Sequence, residues 1–306
     1  MRPVVALRSL LAFLCGGALV LALGLPIHAE DTVKANPKIR VGVAGSMFRD
    51  APAPLVSALM KPFKSLLDTQ TGINGQMVAA GDAEDLGKQL ADDKVQLGVF
   101  HGFEFAWAQL KHPELKALII TINPPSCCRV NVVIAKDDNC KVLADLKGKV
   151  VAIPMHTREH CHLFIERRCL DAGQPMQRFF EKVTTPADME DALDGVVDGV
   201  YAAAVVDGGV LANYAKRKPG RANKLKTLIE SEPFPPAVVA CNPANLDEAV
   251  QKRFAEGLIN AGETSKGQRL LTICRITGFE TIPSGFEKEL LRIAKAYPPP
   301  SASTEK

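Results

Sequence analysis

Four side chains with metal-binding chemistry crowd one stretch of this chain. His156, His160, Cys161 and His162 fall within seven residues, between an apolar run, Val150-Val-Ala-Ile153, and an amphipathic segment. Imidazole and thiolate select zinc, copper and other borderline or soft ions, whereas carboxylate and water suit magnesium and calcium. A trivalent arsenic species would also suit the thiols, with less need of histidines. His156-Thr-Arg-Glu-His160 further matches H-x-x-E-H, which on a formed helix presents two imidazoles to zinc with the glutamate as general base. A zinc-dependent hydrolase using His156, Glu159 and His160 is therefore an alternative reading. Pro154 and Thr157 count against it, because they set the helix start inside the motif. With Thr157 as N-cap, His156 falls outside the helix.

The same stretch reads as strand, turn, helix, where the first helical N–H groups lack intrahelical partners and can hold an anion. Ser46, Thr157 and Arg158 supply oxyanion chemistry, and histidines can donate hydrogen bonds beside them. Arg129 reads as a solvated strand-end charge. Asp207 ends a buried run and is either a cleft counter-charge or a helix cap. Trp107 reads as helix packing, and Glu104 as an exposed helical position. Cys169 and Cys274 read as small hydrophobes.

The elements that must position these groups alternate. Strands are expected at 39–44, 74–80, 95–100, 115–122, 129–136, 150–153, 200–206, 225–229 and 237–241. Helical spacing is carried by Leu55, Leu59, Phe63, Leu66 and Leu67, by Leu86 and Leu90, by 163–172, 188–197, and by three later segments ending near 296. That order predicts an α/β protein with a parallel or mixed sheet in each of two lobes. Pro-marked breaks at 123–126 and 233–236 predict where the chain crosses. The expected lobes are 39–125 with 237–298, and 128–232, with a loose tail over 299–306.

Composition sets further bounds. The chain has 306 residues, 47% hydrophobic and 23% charged, enough for two packed cores. Arg2 and Arg8 precede an apolar stretch over 10–25 that ends at Pro26-Ile-His-Ala29, the pattern of a secretory signal over 1–29. Without it, 35 basic face 34 acidic residues, no footprint for nucleic acid. Of the eight cysteines, Cys15 lies in the signal; the other seven suggest no clean disulfide framework.

Four motifs in this order resemble the phosphonate-type periplasmic substrate-binding proteins of ABC transporters. They are Val95-Gln-Leu-Gly-Val-Phe-His-Gly102, Asn131-Val-Val-Ile-Ala-Lys-Asp137, Asp145-Leu-Lys-Gly-Lys-Val-Val-Ala152 and Val196-Val-Asp-Gly-Val-Tyr-Ala-Ala203. The resemblance covers about 39–286. It implies a two-lobed, non-catalytic protein, acting as a monomer, that closes on a small ligand and presents it to a membrane permease. It also implies a Ser/Thr-rich ligand loop, which here is His156-Thr-Arg-Glu-His-Cys-His162. Where that family usually has Tyr, this chain carries His101 and Cys128. The expected ligand residues are thus Ser46, His101, Cys128, Thr157, Arg158, His160 and Asp207. No cofactor is required, and a zinc or copper ion is a possible ligand of His101, Cys128, His156, His160 and Cys161.

Overall fold

The computed structural model describes residues 39–49 and 67–300, with Val56, Met60, Lys61, Lys64 and Ser65 between them. The signal segment, most of the tail and most of the helix through Leu55, Leu59 and Phe63 lie outside the described residues. No helix among the described residues is long and apolar enough to cross a membrane.

Eleven strands form two sheets. In chain order they are β1 (Ile39–Val43), β2 (Gly75–Ala79), β3 (Leu97–Phe100), β4 (Lys116–Ile122), β5 (Val130–Ala135), β6 (Val150–Ala152), β7 (Lys182–Thr184), β8 (Ala203–Asp207), β9 (Leu225–Glu230), β10 (Val238–Cys241) and β11 (Gly278–Glu280). The first sheet runs β11-β4-β10-β3-β1-β2 and the second β7-β6-β8-β5-β9. The chain leaves the first sheet after β4 and re-enters it at β10, so two segments, 123–129 and 231–237, connect the sheets. Both sheets are mixed. β1 pairs parallel with β2 and β3, while β10 runs antiparallel between β3 and β4, with Val239 opposite Val99. In the second sheet β5 is antiparallel to β8 and β9.

The strands form where apolar, β-branched runs are buried on both faces. β8 and β10 are buried along their whole length. The three-residue strands β7 and β11 fall below the length at which a sequence pattern is visible.

Eight helices of eight or more residues cover the described sheets: α1 (Ala83–Ala91), α2 (Gly102–Lys111), α3 (Glu159–Asp171), α4 (Met189–Val197), α5 (Gly208–Arg217), α6 (Glu248–Ile259), α7 (Ser265–Ile273) and α8 (Phe286–Ala296). Their starts follow capping chemistry. Asp82 accepts from the Asp85 amide at 2.9 Å, and Asp188 from the Glu190 amide at 2.7 Å. Phe100, Phe105, Phe164 and Phe254 are fully buried, each contributing about 1.5–3 kcal/mol by transfer from water. One apolar cluster runs from Phe100 and Phe103 of the first lobe through Phe234 and Tyr297 to Cys161 and Phe164 of the second.

Candidate functional site

A cavity of about 480 Å³ lies where the ends of β1 and β3, both connecting segments and the start of α3 meet. Its first wall is built at two strand ends. After β1 the chain turns into one 3-10 turn, Gly45–Phe48, fixed by hydrogen bonds from Ala44 N to Val99 O and from Gly45 N to Gly81 O. This puts Ser46 into the cavity lining. After β3, His101 is the N-cap of α2, and its backbone N–H donates to Glu104 Oε2 at 3.3 Å. The helix start lies hard against the second connecting segment. A Cβ on Gly102 would sit 2.4 Å from Pro236 O, so only glycine fits there.

The second wall comes from the turn between β6 and α3. Thr157 donates its hydroxyl to Pro154 O at 2.6 Å, a turn bond that leaves the oxygen's lone pairs for another donor. Arg158 is the N-cap position, so α3 starts at Glu159, one residue later than a Thr157 cap would give. His156 stays in the turn with φ 59°, exposed to solvent. The two imidazoles of the H-x-x-E-H spacing therefore do not share a helix face. Glu159 forms a two-bond ion pair with Arg49 of the first wall. These placements leave the zinc-hydrolase reading without its geometry.

The connecting segments form the cavity floor and are tied to each other. Phe234 N donates to Cys128 O at 2.8 Å, and Val130 N to Ser231 Oγ at 2.8 Å. Phe234 is the hub of an aromatic seam between the walls. His160 stacks on it at 5.2 Å between centroids, Tyr297 packs at 4.8 Å and Phe103 meets it edge-on at 6.2 Å. His101 in turn stacks on Phe103 at 5.6 Å. His101 and His160 are thus held in place by rings.

Four polar atoms at this site are buried without a hydrogen-bond partner: Ser46 Oγ, His101 Nε2, Asn123 Oδ1 and His160 Nε2. Ser46 lies close enough to Glu104 to lower that carboxyl's pKa, yet its hydroxyl has no partner of good geometry. Buried polar atoms are nearly always paired, so four orphans on one cavity mark a place built for a polar ligand. Burial raises the Glu104 carboxyl, and the nearby His101 only partly offsets this. Burial also pushes the His160 imidazole down to about 3, which keeps the ring neutral, and a contact with the Cys127 backbone opposes that only weakly.

The expected residues are placed unequally. Ser46, His101, Cys128, His156, Thr157, Arg158 and His160 line the cavity. Cys161 does not: it is fully buried in the apolar cluster, where loss of water pushes its thiol well up. Burial likewise pushes the Cys128 thiol up to about 11. Among the described residues no three His, Cys, Asp or Glu side chains are arranged to hold a metal ion. Asp207 lies below the lining. It caps α5 by accepting from Gly209 N at 2.9 Å and Val210 N at 3.0 Å, and it pairs with Arg158 Nε at 3.6 Å. Arg158 also reaches the first lobe, donating to Arg275 O at 2.9 Å.

Other expectations change. Glu104 is 6% exposed, not on an open helical face, because α2 turns it toward Ser46 and His101. Arg129 is not simply solvated; it donates to Ser231 O and pairs with Glu230. Cys274 is exposed and lines the cavity, whereas Cys169 is buried as a small hydrophobe. Trp107 packs in α2 and donates to Tyr297 O at 2.7 Å. Sequence reasoning missed Phe234, Asn123 and Arg49. A lone aromatic inside Pro233-Phe-Pro-Pro236 was the available signal for the first; the others had none.

Two α/β lobes joined by paired connections around a polar cleft define a solute-binding protein of the periplasmic type. The profile described as ABC transporter, phosphonate, periplasmic substrate-binding protein matches residues 49–283, and the chain belongs to that family, whose members bind solutes and are not enzymes. Solved structures agree on the fold. A binding protein component of an ABC phosphonate transporter from Pseudomonas aeruginosa is 14% identical, with TM-score 0.54 over 85% of this chain and 86% of that one. A Prochlorococcus marinus (MIT 9301) protein in complex with methylphosphonate is 15% identical, with TM-score 0.57 over 85% and 98%. A Xanthomonas citri protein bound to ATP is 15% identical, with TM-score 0.59 over 85% and 96%. No curated protein sequence matches the chain.

Proposed function

We propose that this protein is the exported capture component of an ABC-type importer, and that its cleft holds a phosphonate- or phosphate-like oxyanion. One observation carries the reading: Ser46, His101, Asn123 and His160 all line one cavity between the lobes, and each carries a buried polar atom without a hydrogen-bond partner. The family and the basic-then-apolar N-terminus support delivery to the periplasm. Both walls come from a single chain, which supports action as a monomer that hands its ligand to a membrane permease. Arg49–Glu159 and Arg158–Arg275 O bridge the walls and favour a closed cleft.

The test is a melting series of the purified protein with methylphosphonate, phosphate, zinc and copper. A ligand at a hundredfold over its Kd adds about 2.7 kcal/mol of stability. The reading predicts such a shift with an oxyanion, strongly reduced in His160→Ala. A shift with zinc or copper alone, lost in His160→Ala, would replace the oxyanion by a metal ion. No shift with any of them removes the proposal.

A further inference from the structure

Four of the helices, α1, α3, α4 and α7, end in the same way. One residue past the cap takes the left-handed backbone conformation, and its N–H and the next one bond back to carbonyls of the last turn. After α3 and α4 that residue is glycine: Gly173 with φ 89° and Gly199 with φ 74°. After α1 it is Asp93 with φ 56°, a short polar side chain that accepts from Gln96 Nε2 at 2.9 Å. After α7 it is Arg275 with φ 53°; Arg275 N donates to Thr272 O at 3.1 Å and Ile276 N to Leu271 O at 3.0 Å. Glycine adopts this conformation readily and aspartate tolerates it, whereas a long side chain there costs free energy. The helix end alone calls for glycine, so the arginine answers a different need.

That need lies in the cleft. Arg275 lines the cavity, and two residues further on Thr277 N donates to Ile122 O at 2.9 Å, which pins the turn to the end of β4. Arg275 O receives Arg158 Nη2 from the second wall at 2.9 Å. Burial raises the Asp207 carboxyl, and the charges of Arg158 and, more weakly, Arg275 oppose it, so the Arg275 charge is felt across in the second lobe. The other two arginines of the lining are committed to acids, Arg49 to Glu159 and Arg158 to Asp207. Among the described residues the Arg275 guanidinium has no ion pair and no hydrogen bond. An anion drawn into a cleft needs a counter-charge, and a guanidinium meets an oxyanion with two parallel N–H groups.

We infer that Arg275 supplies the positive charge for the anionic head of the ligand: its left-handed backbone gives the carbonyl to Arg158 and leaves the guanidinium for the oxyanion. This rests on the cleft being the oxyanion site and adds the residue that selects an anion over a neutral ligand of the same shape. The competing role is structural, a cation favoured at the negative end of α7.

The test is calorimetric titration of the full chain with methylphosphonate, wild type against Arg275→Gly, Arg275→Gln and Asp93→Gly, with thermal melts of each protein without ligand. Arg275→Gly relaxes the backbone, so it is expected to melt no lower than wild type while binding at least about tenfold more weakly. Arg275→Gln is expected to lose as much affinity, and added salt to weaken its binding less than that of wild type. Asp93→Gly makes the same backbone change outside the cavity lining and is expected to leave affinity unchanged. Wild-type affinity in Arg275→Gly or Arg275→Gln, an equal salt dependence in Arg275→Gln, or the same loss in Asp93→Gly would each overturn the inference. A lower melting temperature of unliganded Arg275→Gly would also overturn it, by making the arginine part of the helix end. Binding of methylphosphonate by wild type with any of these outcomes leaves the oxyanion reading standing; no binding by wild type removes both.

Discussion

Around Asp194 in the second lobe, the carboxylate is saturated. Tyr214 Oη and Lys218 Nζ each donate to it at 2.6 Å, and Arg221 donates to its side chain and, at 3.0 Å, to its backbone carbonyl. Burial alone would raise this carboxyl; the bonds from Lys218, Tyr214 and Arg221 outweigh it and hold the group at about 2. At the cleft the pattern is reversed. Ser46 Oγ, His101 Nε2, Asn123 Oδ1 and His160 Nε2 are buried and unmatched. A network that holds a fold together satisfies its own members, because an unpaired buried group costs about 1–3 kcal/mol. Unmatched groups are retained where a ligand supplies the missing bond. The first cluster clamps α4 to α5 and to the turn after α5; the second belongs to binding.

The largest effect is expected at the saturated cluster. Asp194→Ala leaves three donors without their acceptor and should cost about 2–3 kcal/mol in urea unfolding, with ligand affinity unchanged in the folded fraction. Loss of affinity without loss of stability would break the contrast. The converse variant is His160→Phe, which keeps a ring on Phe234 and removes the unpartnered Nε2. Affinity for methylphosphonate should fall about tenfold or more in calorimetry, about 1.4 kcal/mol, while the melting temperature holds. A pH titration of stability sharpens the point. His160 is held neutral in the fold, so the unfolded chain binds its proton more readily between its ordinary value and about 3. Stability should therefore be complete above about pH 6.5 and fall toward pH 3, by up to about 1.4 kcal/mol per pH unit. That slope should flatten in His160→Phe; an unchanged slope would show that the ring is not held neutral. The smallest effect is expected for Glu159→Gln, which breaks the bridge to Arg49. Arg49 is 46% exposed, so the pair is worth at most about 1 kcal/mol, and ligand affinity should fall no more than about fivefold.

Much of the scaffold could be read from residue order. The runs that become β1, β4, β5 and β10 are mostly apolar and bounded by turn residues, so their burial is written locally. β7 and β11 are three residues long and exist because β6 and β4 offer them an edge. The site was less legible. Ser46, Thr157, Arg158 and His160 sit at strand ends or a helix start, where local chemistry points to them. Cys161 follows His160 directly, yet the helix turns it into the core, a difference set by where α3 begins. Phe234, Asn123 and Arg49 reach the cavity through tertiary contacts that no spacing records.

A crystal structure of the methylphosphonate complex tests the central claim most directly. The account predicts the head group at the cleft between the lobes, within hydrogen-bond distance of Ser46 Oγ, His101 Nε2 and His160 Nε2. Well-ordered methylphosphonate elsewhere, with those three atoms still unpartnered, would contradict it.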